Sequence, residues 1–312
     1  MLRLIFFLMS RMITILGPTA CGKTRLAVNV ASRLQGEIIS ADSRQVFKGM
    51  DIGTGKDLDD YTISGNNVPY HLIDIREPGY EYSVFEFQND FRDAYDSIIQ
   101  RQMLPILCGG TGLYIESVLR NYHLSDVPQN DMLRKELEQY SDEELTEKLK
   151  TYISLHNNTD TETRARLLRA IEIQDYQTKN PASYVELPQI DSVVIGVSYP
   201  RDMVMDNIRR RLKQRLEGGM IDEVDSLLHS GVTAERLMRY GLEYKYLTLY
   251  LLGKMSYNDM FEKLNIAIRQ FAKRQMTWFR RMERNGVDIH WIDGTIPLDD
   301  KTDKVCELYN NR

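Results

Sequence analysis

The sequence is poor in cysteine and has no long apolar stretch. Only three of its 312 residues are Cys, and Cys21, Cys108 and Cys306 lack the spacing of a structural zinc site or a disulfide framework. No apolar run approaches the roughly 20 residues that a membrane-spanning helix needs. These absences predict a reduced, cytoplasmic protein that is not embedded in a membrane.

The first eleven residues are largely apolar but do not form a complete targeting signal. Residues 2–9 have some character of a signal peptide, yet no small-residue cleavage site precedes the first predicted strand. Residues 1–11 are therefore interpreted as a dispensable extension, with Met12 as an alternative start. Internal repeats and low-complexity segments are also absent from the sequence.

An overall basic charge, which would indicate nucleic-acid binding, is absent as well, because the formal net charge is -5. The charge is unevenly distributed, however. Lys and Arg outnumber Asp and Glu between residues 201 and 281, whereas acidic residues dominate between residues 128 and 163. This asymmetry indicates either two differently solvated faces or a basic surface for a polyanion on the later helices.

The strongest motif is a glycine-rich pattern that matches the phosphate-binding P-loop, G-x-x-x-x-G-K-T. Residues 12–16 before it predict a buried strand, and residues 25–34 after it have helical spacing. Backbone N–H groups and the positive end of the helix would therefore face a chain of phosphates. The predicted phosphate-binding residues are Gly17, Pro18, Thr19, Ala20, Cys21, Gly22, Lys23 and Thr24.

Two side chains of this motif have predicted roles. Lys23 would reach the outer phosphate oxygens, and the Thr24 hydroxyl would be a ligand of Mg²⁺. The Cys21 side chain is expected to point away from the phosphates and is assigned no chemistry. The motif predicts phosphate binding, but it does not show whether a phosphoryl group is transferred, hydrolysed or released.

Strands and helices alternate along the first part of the chain, which favours a doubly wound parallel sheet of the P-loop NTPase-like α/β class. Helical patterns cover residues 25–34 and 81–102. Further helices are predicted at residues 202–217, up to 250, and 258–283. The predicted strands are residues 12–16, 37–40, 71–74, 105–108, 192–197 and 287–293.

The alternation stops between residues 122 and 190, where helical periodicity continues without convincing strands. Helices are predicted at residues 142–149, with Ser141 as N-cap, and at residues 164–173. We therefore expect residues 12–121 and 191–312 to form one core with basic C-terminal helices. Residues 122–190 would be an inserted helical domain.

Two segments follow predicted strands at the edge of the sheet where ligands bind in α/β proteins. Asp42 comes directly after one strand, and the turn 109–112, with Thr111, comes after another. Residues 48–56 are rich in glycine and lysine, which indicates either a functional loop or a plain surface loop. Residues 268–281 alternate basic and aromatic side chains, which suits RNA binding or a core-packing amphipathic helix.

Together these motifs resemble the tRNA dimethylallyltransferases, which prenylate the N6 amine of adenosine 37 beside the anticodon. Two positions depart from the family pattern: Glu243 stands where a glycine is usual, and Asn207 where an arginine often precedes Ile208. The matching segments are residues 17–24, 40–43, 47–54, 56, 71–74, 109–114, 169–172, 200–201, 211 and 272–280.

The resemblance implies specific partners and roles. The donor would be dimethylallyl diphosphate, the acceptor the anticodon stem-loop of tRNA, and the cofactor Mg²⁺ on Thr24. Asp42 would be the general base, Thr111 would lie beside the leaving oxygen and the amine, and Arg211 would bind the diphosphate. The protein would act as a monomer. The residues expected to contact tRNA are Asp42, Ser43, Arg44, Gln45, Arg164, Arg166, Arg169, Lys273, Arg274 and Gln275.

Other functions stay open at this stage. A small-molecule P-loop kinase would also have a glycine turn at a strand end, but it would have a short arginine-bearing lid rather than a long helical insertion. An adenylate prenyltransferase is a relative that acts on a free nucleotide. A non-catalytic tRNA-binding module is disfavoured by the intact P-loop together with Asp42 and Thr111.

Overall fold

The computed structural model describes residues 11–153, 161, 163–180, 187–188 and 190–311. The chain forms two compact units. The first comprises the residues up to Tyr122 and those from Leu187 onward, and the second comprises residues 123–186. Residues 1–10 of the predicted N-terminal extension lie outside the described residues.

The first unit is built on a six-stranded parallel sheet with the strand order β5-β2-β6-β1-β7-β8. Every residue of β1, β2 and β6 is buried, as expected for central strands of a parallel sheet covered on both faces. The short strands β3 and β4 pair separately. In chain order the strands are β1 (Arg11–Leu16), β2 (Gly36–Ala41), β3 (Thr62–Ile63), β4 (Asn66–Asn67), β5 (Tyr70–His71), β6 (Leu104–Gly109), β7 (Asp191–Ser198) and β8 (Ile289–Asp293).

Helices cover both faces of this sheet. Ile13 and Ile15 pack in a core that includes α1 residues, while Met12 and Leu16 pack in a second core that includes α2 and α11 residues. The predicted P-loop NTPase-like doubly wound fold is therefore confirmed. The helices are α1 (Lys23–Leu34), α2 (Val84–Gln100), α3 (Gly112–Leu119), α4 (Asp131–Leu137), α5 (Asp142–Tyr152), α6 (Arg164–Lys179), α7 (Arg201–Glu217), α8 (Met220–His229), α9 (Ala234–Leu237), α10 (Leu242–Leu251), α11 (Tyr257–Arg284) and α12 (Leu298–Asn310).

The prediction of a strand at residues 71–74 was wrong for most of its length. The strand β5 contains only Tyr70 and His71, because Leu72 and Asp74 have left-handed φ angles of 63° and 57°. Such angles interrupt an extended strand. The interruption has a structural consequence, since the Asp74 side chain contacts the buried Lys56 ammonium.

A third apolar core forms among the C-terminal helices α7, α8, α10 and α11 and the segment 46–50. On α11 the buried side chains Leu264, Ile268 and Phe279 fall on one face, as in an amphipathic helix. None of the helices in the described part of the chain has the length and apolar character needed to span a bilayer.

The second unit contains the helices α4, α5 and α6. Its core is a small leucine-rich cluster, and α5 begins at a capping box formed by Ser141 and Glu144, which confirms Ser141 as the predicted N-cap. Glu172 is buried and accepts hydrogen bonds from Arg134 at 2.7 and 2.8 Å. Burial would raise the pKa of Glu172, but these bonds and the one from the Asn130 N–H lower it below its ordinary value.

Candidate active site

The P-loop connects β1 to α1 at the carboxyl edge of the sheet. Ala20 and Gly22 have left-handed φ angles of 63° and 74°, which curl the loop, and α1 begins at Lys23. Among the described residues no side chain caps this helix start, so its N–H groups stay available to an anion. The Lys23 ammonium lies 3.5 Å from the Pro18 carbonyl oxygen and folds back over the loop.

The nearby thiols are parts of the core. Cys21 is 2% exposed and packs in the same core as Ile13 and Ile15, in agreement with the expectation that it has no chemical role. Burial raises the pKa of Cys108 to about 12, so this thiol stays protonated and provides no nucleophile.

Asp42 and Thr111 are brought together because their strands are neighbours. Ala41 at the end of β2 pairs with Gly109 at the end of β6. The Ser43 N–H donates to the Thr111 hydroxyl oxygen at 3.1 Å, and the Arg44 N–H donates to the Asp42 carboxylate at 2.9 Å. A carboxylate and a hydroxyl are therefore held by backbone groups beside the P-loop strand.

Gln45 follows in the same segment, but its side chain faces inward. It is 9% exposed, accepts from the Ser40 hydroxyl at 2.8 Å and donates to the Gly55 carbonyl at 3.0 Å. Gln45 thus joins the strand end to the glycine-rich loop, and its contact with a bound base stays a prediction. Ser43 and Arg44 are half-buried and flank the same edge.

Gln275 on α11 joins the two glycine turns of the site. Its side-chain oxygen accepts from the Thr19 N–H at 2.8 Å, and its amide nitrogen donates to the Gly110 carbonyl at 2.9 Å. A Cβ at Gly110 would lie only 2.5 Å from that nitrogen, so a larger residue there would displace the Gln275 amide. Gln275 is 7% exposed, and its contact with RNA likewise stays a prediction.

We expect Gln275→Ala to weaken the binding of inorganic diphosphate roughly tenfold, since a lost buried hydrogen-bond partner costs about 1–3 kcal/mol. Gln275→Glu retains the acceptor for Thr19 but not the donor to Gly110, and should also weaken binding. Titration calorimetry measures both, with Gln270→Ala, at an exposed glutamine of the same helix, as control. Equal affinities in all variants would contradict the proposal that Gln275 holds the two glycine turns in the geometry that binds diphosphate.

The glycine-rich loop 48–57 is held from inside by Lys56. This side chain has no exposed surface, and its ammonium donates to the Phe47 carbonyl at 2.8 Å and to the carboxylates of Asp51 and Asp74. A buried lysine is tolerated only when it is paired in this way. The loop is therefore anchored from inside by a buried side chain, and its function stays a prediction.

Glu223 on α8 holds the same loop from its other side. The carboxylate accepts from the N–H groups of Asp51, Ile52 and Gly53 at 2.8, 2.6 and 3.0 Å, and from the Tyr244 hydroxyl at 2.7 Å. Burial and the neighbouring Glu223 raise the pKa of Tyr244 above its ordinary value, which keeps this hydroxyl a donor. No motif in the sequence indicated that Glu223 would bind the backbone of this loop.

Arg211 projects from α7 toward the loop together with a second arginine that the sequence did not single out. Asp57 lies between them, with one oxygen 2.5 Å from Arg211 and the other 3.3 Å from Arg215. Glu243 is half-buried on α10, and burial raises its pKa although Arg215 and Arg211 act in the opposite direction. Asp42 raises the pKa of Glu243 further, so this departure from the family pattern adds a carboxyl to the electrostatic surroundings of the site.

Few side chains in the described part of the chain could hold a divalent metal ion. The described residues contain no cluster of three or more His, Cys, Asp or Glu side chains suited to a metal. The Thr24 hydroxyl is half-buried at the start of α1 and has no hydrogen-bond partner in the described part of the chain. Mg²⁺ in phosphate sites commonly takes one or two protein oxygens and completes its shell with phosphate and water, so Thr24 fits this ion.

The charged and aromatic side chains of α11 differ in exposure. Lys273 and Arg274 are exposed, whereas Phe279 is fully buried. Trp278 packs against Gly112, where a Cβ would lie 2.4 Å from the indole, and the Arg281 guanidinium stacks 4.0 Å from the indole centre. Lys273 and Arg274 are thus accessible to a polyanion. Among the aromatic side chains, Phe279 packs in the core, whereas Phe271 is 39% exposed and lies 5.9 Å from the Arg274 guanidinium.

In the second unit, all three arginines expected to contact tRNA interact with other groups of the protein. Arg164 donates to the carbonyl oxygens of Leu137, Glu138 and Tyr140 and so closes the end of α4. Arg169 donates to the Val127 carbonyl and to Glu172. Arg166 also has an interaction with another group, so the role of all three in RNA binding stays a prediction.

Comparison with known proteins gives matches over nearly the whole chain. The tRNA dimethylallyltransferase 2 of Phocaeicola vulgatus is 57% identical over 301 residues, which are 96% of this chain and 98% of that protein. The crystal structure of a tRNA isopentenylpyrophosphate transferase from Bacillus halodurans superposes with a TM-score of 0.70 at 33% identity, covering 97% of this chain and 96% of that one.

A structure of a eukaryotic dimethylallyltransferase acting on tRNA has a TM-score of 0.77 at 21% identity, covering 97% of this chain and 80% of that chain. At this identity the likeness shows a shared fold. Residues 45–282 match the family described as IPP transferase. The chain therefore belongs to the IPP transferase family.

Proposed function

We propose that this protein transfers a dimethylallyl group from dimethylallyl diphosphate to the N6 amine of adenosine 37 in tRNA. The observation that carries the proposal is the placement of Asp42 and Thr111 on neighbouring strand ends beside a P-loop, in a chain of the IPP transferase family. The P-loop would hold the leaving diphosphate, and the carboxylate would face the amine that attacks.

The N6 lone pair is delocalised into the adenine ring, so the amine is a weak nucleophile. During transfer, a bond forms between N6 and the first carbon of the prenyl group as the bond from that carbon to the diphosphate oxygen breaks. Asp42 accepts the proton that the amine loses, a role that contributes about 10²–10⁴-fold in enzymes. In our proposal the Thr111 hydroxyl donates a hydrogen bond to the departing oxygen.

Negative charge grows on the diphosphate as it leaves, and groups that bind this charge more tightly in the transition state accelerate the reaction. The loop N–H groups, Lys23 and Arg211 have this role in our proposal. Thr24 would hold Mg²⁺, which supplies further charge compensation when bound. The phosphates are the leaving group here, in contrast to a kinase, where the phosphoryl group is the cargo.

The acceptor would be a base in the anticodon loop, turned out of its stack at a cost of about a few kcal/mol. Ser43, Arg44 and Gln45 lie beside Asp42 and would contact the base, while Lys273 and Arg274 would meet the phosphates of the stem. Single-stranded loops are the usual targets of sequence-specific RNA binding. We further propose that a single chain performs the reaction, in the cytoplasm.

The central experiment incubates the protein with Mg²⁺, unmodified tRNA and labelled dimethylallyl diphosphate, followed by nucleoside analysis. We expect label on N6 of adenosine 37 and tRNA-dependent release of diphosphate. Parallel reactions offer adenylate as acceptor, and ATP with a panel of small acceptors. Turnover confined to adenylate would favour an adenylate prenyltransferase, and turnover confined to ATP would favour a kinase.

The exposed basic residues of α11 give a separate prediction. Lys273→Ala combined with Arg274→Ala should weaken tRNA binding and lower the slope of log affinity against log salt by about one unit per lost phosphate contact. Affinities measured across a salt series test this. Lys254→Ala with Lys263→Ala removes the same charge from exposed positions and is the control, and an equal change in both double variants would contradict a specific RNA contact.

A further inference from the structure

The carboxylate of Asp57 lies between two arginine side chains of α7. Its oxygens are 2.5 Å from the Arg211 Nη2 and 3.3 Å from the Arg215 Nη2. The Arg215 side chain is the deeper of the two, with 14% exposed surface against 30% for Arg211. One carboxylate therefore bridges an inner and an outer guanidinium group at the site.

The backbone next to Asp57 lets the two guanidinium groups approach closely. Gly55 has a left-handed φ of 68°, and a Cβ there would lie 1.7 Å from Arg215 and 2.7 Å from Arg211. The guanidinium groups therefore rest directly on the glycine backbone. Asp57 itself has a φ of 46°, which is uncommon for a residue other than glycine but is tolerated by aspartate.

The charges explain why a carboxylate is needed. Two guanidinium groups side by side repel, and both burial and Arg211 lower the pKa of Arg215. Burial would raise the pKa of Asp57, yet the two arginines outweigh it and hold that pKa below its ordinary value. Asp57 is consequently ionised at neutral pH and compensates the pair.

We propose that Asp57 is a positioning residue, which fixes Arg211 through its bridge to Arg215 so that the remaining Arg211 N–H groups face the diphosphate. A guanidinium has five N–H donors in a rigid fork, and Asp57 occupies only part of that fork. Arg215 serves as the inner anchor of the bridge. The proposal rests on the proposed function, because it concerns the diphosphate of that reaction.

The loop provides the rigidity that such positioning requires. Lys56 precedes Asp57 and is locked by Asp51, Asp74 and the Phe47 carbonyl, while Glu223 holds the backbone of residues 51–53. The bridge thus connects α7 to a loop fixed at two further points. Without the carboxylate, Arg211 would lose its fixed orientation and would have to be ordered again by the ligand, at an entropic cost.

The test measures the affinity of the full chain for inorganic diphosphate with Mg²⁺ by calorimetry. Asp57→Ala should weaken binding about tenfold, the scale of one charge-assisted hydrogen bond, and Asp57→Asn, which retains an acceptor, should weaken it less. Asp59→Ala removes the same charge from an exposed position of the same segment and should bind as the original protein does. Tighter binding by Asp57→Ala would overturn the proposal, because it would mean that the carboxylate only competes with the ligand.

A double-mutant cycle separates positioning from general electrostatics. If Asp57 acts through Arg211, Asp57→Ala should have no further effect in an Arg211→Ala background, and additive effects would contradict the proposal. In turnover assays Asp57→Ala should raise the KM for the prenyl donor and leave the KM for tRNA unchanged. Failure of the proposed function would appear as absent tRNA prenylation by the unsubstituted chain, whereas the binding cycle needs no turnover.

Discussion

Asp42→Asn should lower the single-turnover rate roughly 10²-fold or more, the usual scale for a positioned general base. The substitution removes the proton acceptor but retains an oxygen that can accept the Arg44 N–H, which Asp42 now accepts at 2.9 Å. The local turn should therefore persist, and tRNA and the prenyl donor should bind almost as before. Rapid-quench measurements with enzyme in excess over labelled donor give the rate of the chemical step.

The matched variant for this experiment is Glu243→Gln. Glu243 is another carboxyl in the electrostatic surroundings of the site, and Asp42 contributes to raising its pKa. If Asp42 is the base, Glu243→Gln should change the single-turnover rate far less than Asp42→Asn. A nearly unchanged rate in Asp42→Asn would remove Asp42 from the mechanism, and a large loss in Glu243→Gln alone would transfer the role to Glu243.

Most strands of the sheet, and the edge at which the candidate site lies, could be predicted from the sequence alone. An apolar segment, a glycine-rich motif and a helix in that order place the P-loop at the carboxyl end of β1. Because parallel strands end at the same edge, the sequence predicts that Asp42 and Thr111 lie close together, and the hydrogen bond from the Ser43 N–H to Thr111 confirms this proximity. These features follow from local patterns and from the geometry of βα units.

The long-range hydrogen bonds that hold the loops of the candidate site could not be predicted from local sequence patterns. Gln275 lies 256 residues from Thr19, and Glu223 lies 172 residues from Asp51, and no spacing rule connects such positions. The failure at residues 71–74 has the same origin, since the contact of Asp74 with the buried Lys56 accompanies a left-handed turn in an apolar segment that looks extended. Tertiary partners override local propensity at these points.

Lys56→Met should lower the free energy of unfolding by about 1–3 kcal/mol, the scale for leaving a buried hydrogen-bond partner unpaired. The lysine is fully buried, whereas Asp51 and Asp74 retain 54% and 35% of their side-chain exposure. The loss would therefore come from the unpaired Phe47 carbonyl and from two carboxylates that no longer share a cation. Urea denaturation followed by circular dichroism measures the change.

Lys48→Met is the matched control, because Lys48 pairs with Glu77 at 2.6 Å on the surface, where both side chains are more than half exposed. An exposed pair of this kind contributes about 0–1 kcal/mol. Equal and small changes in both variants would contradict a stabilising role for Lys56. If the large difference is found, Lys56→Met should also weaken diphosphate binding, because the loop that Lys56 fixes carries Asp57, and Asp57 contacts Arg211.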